Sequence, residues 1–352
     1  MKSRKVVIIV VTFLMVLFFI GCNNKNNKDS KNNNTKKVVR EREVENTTSI
    51  SEITESKAEK EMKLDLSSEA NGETSQVETE ERSVETEKKE ITQLPDSIME
   101  TVEYWKSVYP NMTIGVGLYS LDGTTGYEYN ASTPINSACT IKATYALFVL
   151  QEAEKREIDI WETYITYEPR HSDPEGSGDI NLYGYYGQEY SIAELVRLLL
   201  SVSDNVAYNM LLEKFTLDDF YSYNYTIGGQ SDWSKWGRAS VEQRKCEWVE
   251  IWNYINSDSL YSEVLRNDLT GTDFAYFVQG MQNWHSYMQK SGWTEDTPYY
   301  PAAGEAAIID DSFILIVLTQ DYSDYKMGHI DALQGIGGAV ESYWNQNDGY
   351  IF

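Results

Sequence analysis

The chain contains three cysteines and three histidines in 352 residues, and both scarcities exclude whole classes of protein. Cys22, Cys139 and Cys246 are too few and too widely spaced for a disulfide framework. His171, His285 and His329 are scattered without the spacing of metal ligands, so the sequence predicts neither a metal centre nor a cofactor. Positive charge is scarce where it would matter for a polyanion. From Asp96 to Phe352 there are 14 basic against 38 acidic side chains, a net of −24, which repels nucleic acid and anionic lipid surfaces. A lysine inside this stretch therefore reads as a local event. No internal repeat is visible, and the apolar run from Val6 to Ile20 is shorter than the roughly 20 residues a membrane-spanning helix needs.

That run follows Lys2, Arg4 and Lys5 and ends in Phe19-Ile20-Gly21-Cys22, the form of an export signal with a small residue before a cysteine. It resembles a bacterial lipoprotein signal, cleaved before Cys22 so that this thiol carries lipid; an uncleaved anchor helix is the alternative. Residues 1–22 are thus read as signal, and the remainder is expected outside the cytoplasmic membrane, held there by the N-terminal lipid. Residues 23–95 carry no aromatic side chain and are dominated by Asn, Lys, Glu, Ser and Thr. They cannot bury enough apolar surface to offset the entropy of ordering and are read as a disordered tether. The composition turns aromatic and apolar after Pro95, and residues 96–352 are long enough for one large domain.

Within the domain, helical periodicity runs from Asp96 to Val108. A strand is predicted over "TIGVGLYSL", Thr113 to Leu121, with a second ending near Asn130 after the Asp122-Gly123 turn. Helices are predicted at Thr140 to Lys155, Ile192 to Ser201, Val206 to Phe215, Ser240 to Asn256 and Asp273 to Trp284. Three strands, "SYMQKSGW", "AAGEAAIID" and "SFILIVLTQ", precede a closing amphipathic helix, the last two joined at Asp310-Asp311. This order predicts an α+β fold: an antiparallel sheet flanked by the terminal helices, with a helical subdomain inserted and a cleft between the two lobes.

"SACTIKATYALF", Ser137 to Phe148, places Lys142 one turn after Cys139 at the head of an otherwise apolar helix. Backbone donors and the positive end of the helix favour an anionic nucleophile at Cys139, and Lys142 can take or balance its proton. A lysine snorkelling to solvent fits such a helix poorly. Two further elements fall where the cleft should be, Ser203-Asp204-Asn205 between helices and Lys290-Ser291-Gly292 on a strand.

Together the three elements resemble the S-x-x-K, S-D-N and K-[ST]-G signature of the penicillin-recognising serine hydrolases, and the domain is most similar to the class A β-lactamases. "EGSGDI" before the helix leading to "SVSDNVAYNMLL" adds to the likeness. The resemblance implies that Ser203 relays a proton to the leaving group and Asn205 holds a substrate amide. It implies also that Lys290 and Ser291 meet a substrate carboxylate while Gly292 lets the strand approach the ligand, with the amides of Cys139 and Trp293 as the oxyanion hole. Helix capping by Ser203 or Asp204 is the bland alternative for that loop, and Asp204 is read as structural.

Two departures stand out. The nucleophile of that family is serine, whereas Cys139 occupies the position here and Ser137 is at the wrong distance from Lys142. After the Ser-Asp-Asn element, class A β-lactamases carry an E-x-x-L-N run whose glutamate activates the deacylating water. "YTIGGQSDWSKWGRASVEQ" has none, and Glu242 falls where the next helix has begun. An acyl-enzyme is therefore expected to persist. The expectation is a surface-anchored, monomeric domain forming a covalent acyl intermediate with a β-lactam or a D-Ala-type peptidoglycan stem peptide. The alternatives are a catalytically silent module binding peptidoglycan or a protein partner in the same cleft, or a structural surface protein that needs no cleft.

Overall fold

A computed structural model describes residues 90–230, 234–283, 285–294, 301–321 and 328–352, and all structural statements concern these. The signal, Cys22 and the tether up to residue 89 lie outside the described residues.

The centre of the domain is a six-stranded sheet built from β1 (Ile91–Gln93), β2 (Met112–Tyr119), β3 (Gly126–Tyr129), β8 (Tyr287–Thr294), β9 (Ala302–Ile309) and β10 (Phe313–Asp321) in the order β1-β3-β2-β10-β9-β8. The intervening β4 (Ile135–Asn136) pairs with β7 (Arg238–Ala239), and β5 (Tyr164–Thr166) with β6 (Glu189–Ser191). The unbroken apolar run of β10 follows from burial on both faces. Ile314, Ile316 and Leu318 enter the core under the helical lobe, while Phe313, Leu315 and Val317 enter the core under the terminal helices Asp96–Val108 and Gly328–Gln346. In β2 the same alternation puts Ile114, Val116 and Leu118 toward the terminal helices and Gly115 and Gly117 toward the helix Val241–Ile255. A Cβ on Gly117 would lie 2.5 Å from the Val241 side chain, so glycine is what lets that helix approach the sheet. Asp310 and Asp311 both adopt positive φ, 48° and 49°, as the central residues of the Ile309–Ser312 turn that joins β9 to β10, where Ser312 N donates to Ile309 O (2.9 Å).

The expected antiparallel sheet needs one correction. β1 pairs parallel with β3, through Ile91 opposite Gly126, so the ordered edge begins within the stretch read as tether. Three residues surrounded by Glu, Lys and Thr carry no legible period; Ile91 and Leu94 are held by packing against the cores. A second correction concerns Asp273 to Trp284, where only Phe277–Gly280 is helical; Trp284 lies outside the described residues. Here polar side chains of the sheet and the last helix take the backbone groups that an α-helix would use internally. Glu305 Oε2 accepts from the amides of Tyr276 and Phe277 (2.7 and 3.1 Å), Ser291 Oγ donates to the Phe274 carbonyl (2.9 Å), and Glu341 accepts from the amides of Gln282 and Asn283.

The helical lobe surrounds Ile141–Lys155, buried without interruption from Ile141 to Leu150. Its neighbours are Ile192–Ser201, Asn205–Leu212, Leu217–Thr226, Val241–Ile255 and Ser262–Thr270. Leu217–Thr226 and Ser262–Thr270 had no clear sequence signal. "LDDFYSYNYT" is poor in helix formers, and its helix is held by the Thr216 cap and by burial of Phe220, Tyr221 and Asn224.

Candidate active site

Three pieces of backbone meet at the junction of the lobes: the single 3-10 turn Ala138–Thr140 that opens the central helix, the loop at Ser203, and β8 at Lys290 to Gly292. Two of them carry residues in the left-handed region that are not glycine, Ala138 (φ 44°) and Ser203 (φ 57°). Such backbone costs on the order of 1 kcal/mol or more and persists only where its surroundings impose it. At Ala138 the amide donates to Asn136 Oδ1 (2.8 Å), and Ser137 N donates to Gly237 O (3.1 Å). At Ser203 the carbonyl accepts from both Ser177 Oγ (2.9 Å) and Lys142 Nζ (2.5 Å). Asp204, as anticipated, is structural. Its Oδ1 caps the Asn205–Leu212 helix through the amides of Val206 and Ala207, and its Oδ2 accepts from Ile180 N (2.7 Å).

Lys142 is fully buried, and its ammonium head donates to Ser203 O, to Asn205 Oδ1 (2.6 Å) and, at 3.3 Å, to Ser203 Oγ. Lys290 Nζ reaches the same hydroxyl from the other side at 3.1 Å and also donates to the Ser291 carbonyl (2.9 Å). Cys139 is a free, half-buried thiol beside Ser203 and the heads of Lys142 and Lys290. Burial pushes this thiol up, but the charges of Lys142 and Lys290 and the neighbouring Ser203 hydroxyl outweigh it, and its pKa lies below that of an ordinary thiol. Lys142 is lowered by burial, partly offset by the charge of Cys139. Sγ and Nζ can thus hold one proton between them, as thiol with amine or thiolate with ammonium, and the remaining contacts of Lys142 accommodate either. Burial likewise lowers Lys290, to about 8.

Gly292 has a more specific role than approach to a ligand. A Cβ there would lie 2.4 Å from Cys139 N and 2.6 Å from Thr140 N, so its lack of a side chain lets β8 lie directly against the Ala138–Thr140 turn. Ser291, whose hydroxyl donates to Phe274 O, is buried, while Trp293 is half exposed at the rim. Among the sequence-predicted site residues, Lys142, Ser203, Asn205 and Lys290 form one hydrogen-bonded cluster beside Cys139; Ser291 and Gly292 follow Lys290 on β8, Gly292 directly against Cys139, and Trp293 comes next along the strand at the surface. Cys22 lies outside the described residues.

Three features escaped sequence reasoning. Lys235 and Trp236, in the loop noted only for lacking a glutamate, stand over the site: the Trp236 ring lies 5.3 Å from Lys142 Nζ and 4.8 Å from Lys235 Nζ. Burial pushes Lys235 down to about 8. A fully buried polar network supports the turn from below. Glu247 accepts from Gln230 N (2.7 Å), Thr144 Oγ1 (2.9 Å), Asn224 Nδ2 (3.1 Å) and Arg244 Nη1, and the Gln230 side chain accepts from Ser137 Oγ and from Arg244 Nη2 (2.9 Å). Glu305 on β9 lies opposite Ser291, and its burial pushes it up to about 8. Lys and Trp adjacent in a loop, or Arg and Glu three apart in a helix, are ordinary surface patterns; only burial makes them distinctive. Among the described residues no group of three or more His, Cys, Asp or Glu side chains could hold a metal ion.

With this geometry in place, comparison with known proteins is direct. Residues 97–242 match the model of the Beta-lactamase enzyme family. No curated protein sequence matches the chain at a significant level. Among solved structures, PBP-A superposes with a TM-score of 0.62 at 14% identity, covering 73% of this chain and 98% of its own. A β-lactamase from Sphaerobacter thermophilus gives 0.60 at 16% identity, covering 69% and 94%. A variant of the last common ancestor of Gram-negative class A β-lactamases gives 0.60 at 15%, covering 72% and 100%. Identities this low speak to the fold, which is the β-lactamase/transpeptidase-like α+β arrangement expected from the motif order.

Proposed function

We propose, from the premise that the domain has the β-lactamase/transpeptidase-like fold, that it is a penicillin-binding-type acyl-transfer module with Cys139 as its nucleophile. The observation that carries the reading is the convergence of two buried lysine heads, Lys142 and Lys290, on one hydroxyl, Ser203 Oγ, beside that thiol. Burying two ammonium groups together is costly, and a site that does so is matched to an anionic reactant and a travelling proton.

In the proposed reaction Cys139 Sγ attacks the carbonyl carbon of a β-lactam or of a terminal D-Ala-type peptide bond. The S–C bond forms and the C–N bond breaks, leaving a thioester. Lys142 holds the thiol proton, and Ser203 Oγ passes a proton to the departing nitrogen. Lys290 meets the substrate carboxylate, joined by Ser291 if its hydroxyl turns from Phe274 O, while Asn205 holds a substrate amide and the amides of Cys139 and Trp293 face the oxyanion. The loop after Ser203-Asp204-Asn205 lacks the E-x-x-L-N run whose glutamate would activate a deacylating water, so the thioester persists. The full-length protein acts outside the cytoplasmic membrane, anchored through lipid on Cys22. Cys22→Ala should shift it out of the membrane fraction.

The test is the intact mass of the mature chain after exposure to penicillin G. One added penicillin on the Cys139 peptide, lost when iodoacetamide is applied first, is the expected result. Cys139 should also alkylate at lower pH than Cys246, whose thiol burial raises. If neither wild type nor Cys139→Ser takes up penicillin and Cys139 is no more reactive than Cys246, the covalent mechanism fails and a silent binding module takes its place.

A further inference from the structure

A thioester beside a buried amine should hydrolyse unless water is kept from it, and the structure contains a barrier. Lys142 Nζ is the nitrogen that holds the proton of Cys139 in the proposed reaction, so a deacylating water activated by it would have to sit on its free side. Ser203 O, Ser203 Oγ and Asn205 Oδ1 accept from it, and the Trp236 indole lies over it at 5.3 Å. Lys142 has no solvent exposure.

The indole is fixed in place. Its ring meets that of Tyr208 edge-on at 5.4 Å. The residue before it is tied to the Asn205–Leu212 helix twice, with Tyr208 Oη donating to Lys235 O (3.2 Å) and Lys235 Nζ donating to Asn209 Oδ1 (2.6 Å). The residue after it is tied to the nucleophile segment, Ser137 N donating to Gly237 O (3.1 Å). Moving the ring aside would break bonds at both ends of a three-residue step, while Lys235 Nζ, 4.8 Å from the same ring, adds a second cation to its π-face.

We propose that Trp236 is a water-excluding positioning residue that makes an acyl group on Cys139 long-lived by covering the open side of Lys142. The inference deepens the acyl-transfer reading and rests on it, so its test uses an acyl donor that needs no penicillin recognition. With p-nitrophenyl acetate, Cys139 Sγ displaces p-nitrophenolate and becomes an acetyl thioester. Hydrolysis then forms a C–O bond to water, breaks the C–S bond, returns a proton to the thiol and releases acetate.

The thioester on the Cys139 peptide of the full chain is followed by mass after removal of excess ester. In Trp236→Ala its lifetime should fall at least about tenfold, with 18O from labelled water in the released acetate, because the barrier to water is gone. Trp236→Phe, which keeps a ring over the lysine, should stay within about twofold of wild type. If Trp236→Ala does not fold, Trp236→Gln offers a side chain of comparable reach that admits water and should show the same fall. Equal lifetimes in wild type and in the Ala or Gln variant overturn the inference. The expected acetyl lifetimes without any penicillin adduct would overturn the substrate reading and leave this one standing. A Cys139 that takes no acetyl group overturns both.

Discussion

Replacing Gly292 by alanine tests the core of the site with a single methyl group. That methyl would lie 2.4 Å from Cys139 N, 2.6 Å from Thr140 N and 2.9 Å from Cys139 Cα, whereas ordinary contact begins at 3.4 Å. All three atoms are backbone, so no side chain can swing away. β8 and the Ala138–Thr140 turn must part by about 1 Å, the difference between 3.4 and 2.4 Å. Overpacking of this kind costs about 1–3 kcal/mol. For a domain of this size that is a fall of roughly 2–12 °C in Tm, readable by calorimetry. The chemical effect should be larger. The Cys139 amide moves relative to the strand that carries Lys290 and Trp293, and a misplacement of about 1 Å can cost on the order of 100-fold in rate. Acylation of Cys139 by penicillin G or by p-nitrophenyl acetate, followed by mass, measures that loss. Gly271→Ala is the control, since its Cβ meets nothing closer than Asn267 O at 3.4 Å. A Gly292→Ala protein with Tm within about 1 °C of wild type and unchanged acylation would refute the close approach of β8 to the turn.

The buried network makes a different prediction. Glu247→Ala strands Arg244 without its carboxylate and should cost about 3–5 kcal/mol, whereas the double change Arg244→Met with Glu247→Leu should cost less than either single change, since no charge is left buried alone; a double variant as damaged as the sum of the singles, in denaturant unfolding, would contradict this. The third prediction concerns pH. His285 bonds through Nδ1 to Asp310 (2.6 Å) and through Nε2 to Glu341 (3.1 Å) and stacks on Trp344, with the amides of Gln282 and Asn283 on Glu341 and that of Ser286 on Asp310. Burial pushes the imidazole down, but the two carboxylates outweigh it, so its folded pKa is raised above 6.5; those of Asp310 and Glu341 are lowered below 3.8 and 4.5. A raised histidine contributes its full stability below the unfolded pKa and loses it as pH climbs through the folded one. The carboxylates contribute above their unfolded pKa values and lose it in acid. The Tm advantage of wild type over His285→Gln should therefore be greatest between pH 5 and 6 (about where all three are charged) and shrink above neutrality; an advantage that grows from pH 6 to 8 would show that the histidine is held neutral.

Much of the site was legible because it is written in short, local spacings. One helical turn separates Cys139 from Lys142, the Ser203-Asp204-Asn205 step sits between two well-patterned helices, and Lys290 to Gly292 falls within an alternating strand. What was hidden depends on partners distant in sequence. Phe274 to Asn283 has helical composition, but Glu305, Ser291 and Glu341 capture its backbone groups. Trp236 reads as one aromatic in a polar loop until the fold sets it over Lys142.

By itself the sequence determined the order of elements and the α+β class, through apolar periodicities of two and 3.6 residues, and it determined which short motifs could carry chemistry. It also determined the acidic balance that makes any buried lysine exceptional. Only the tertiary structure decided which lysines are buried and against what. Desolvation and the charge of a neighbour depend on distances between atoms that lie 61 residues apart for Lys142 and Ser203 and 87 apart for Lys290 and Ser203. No local pattern encodes such a separation, so the lowered thiol of Cys139, the fit of Gly292 against it and the indole over Lys142 exist only once the chain has folded.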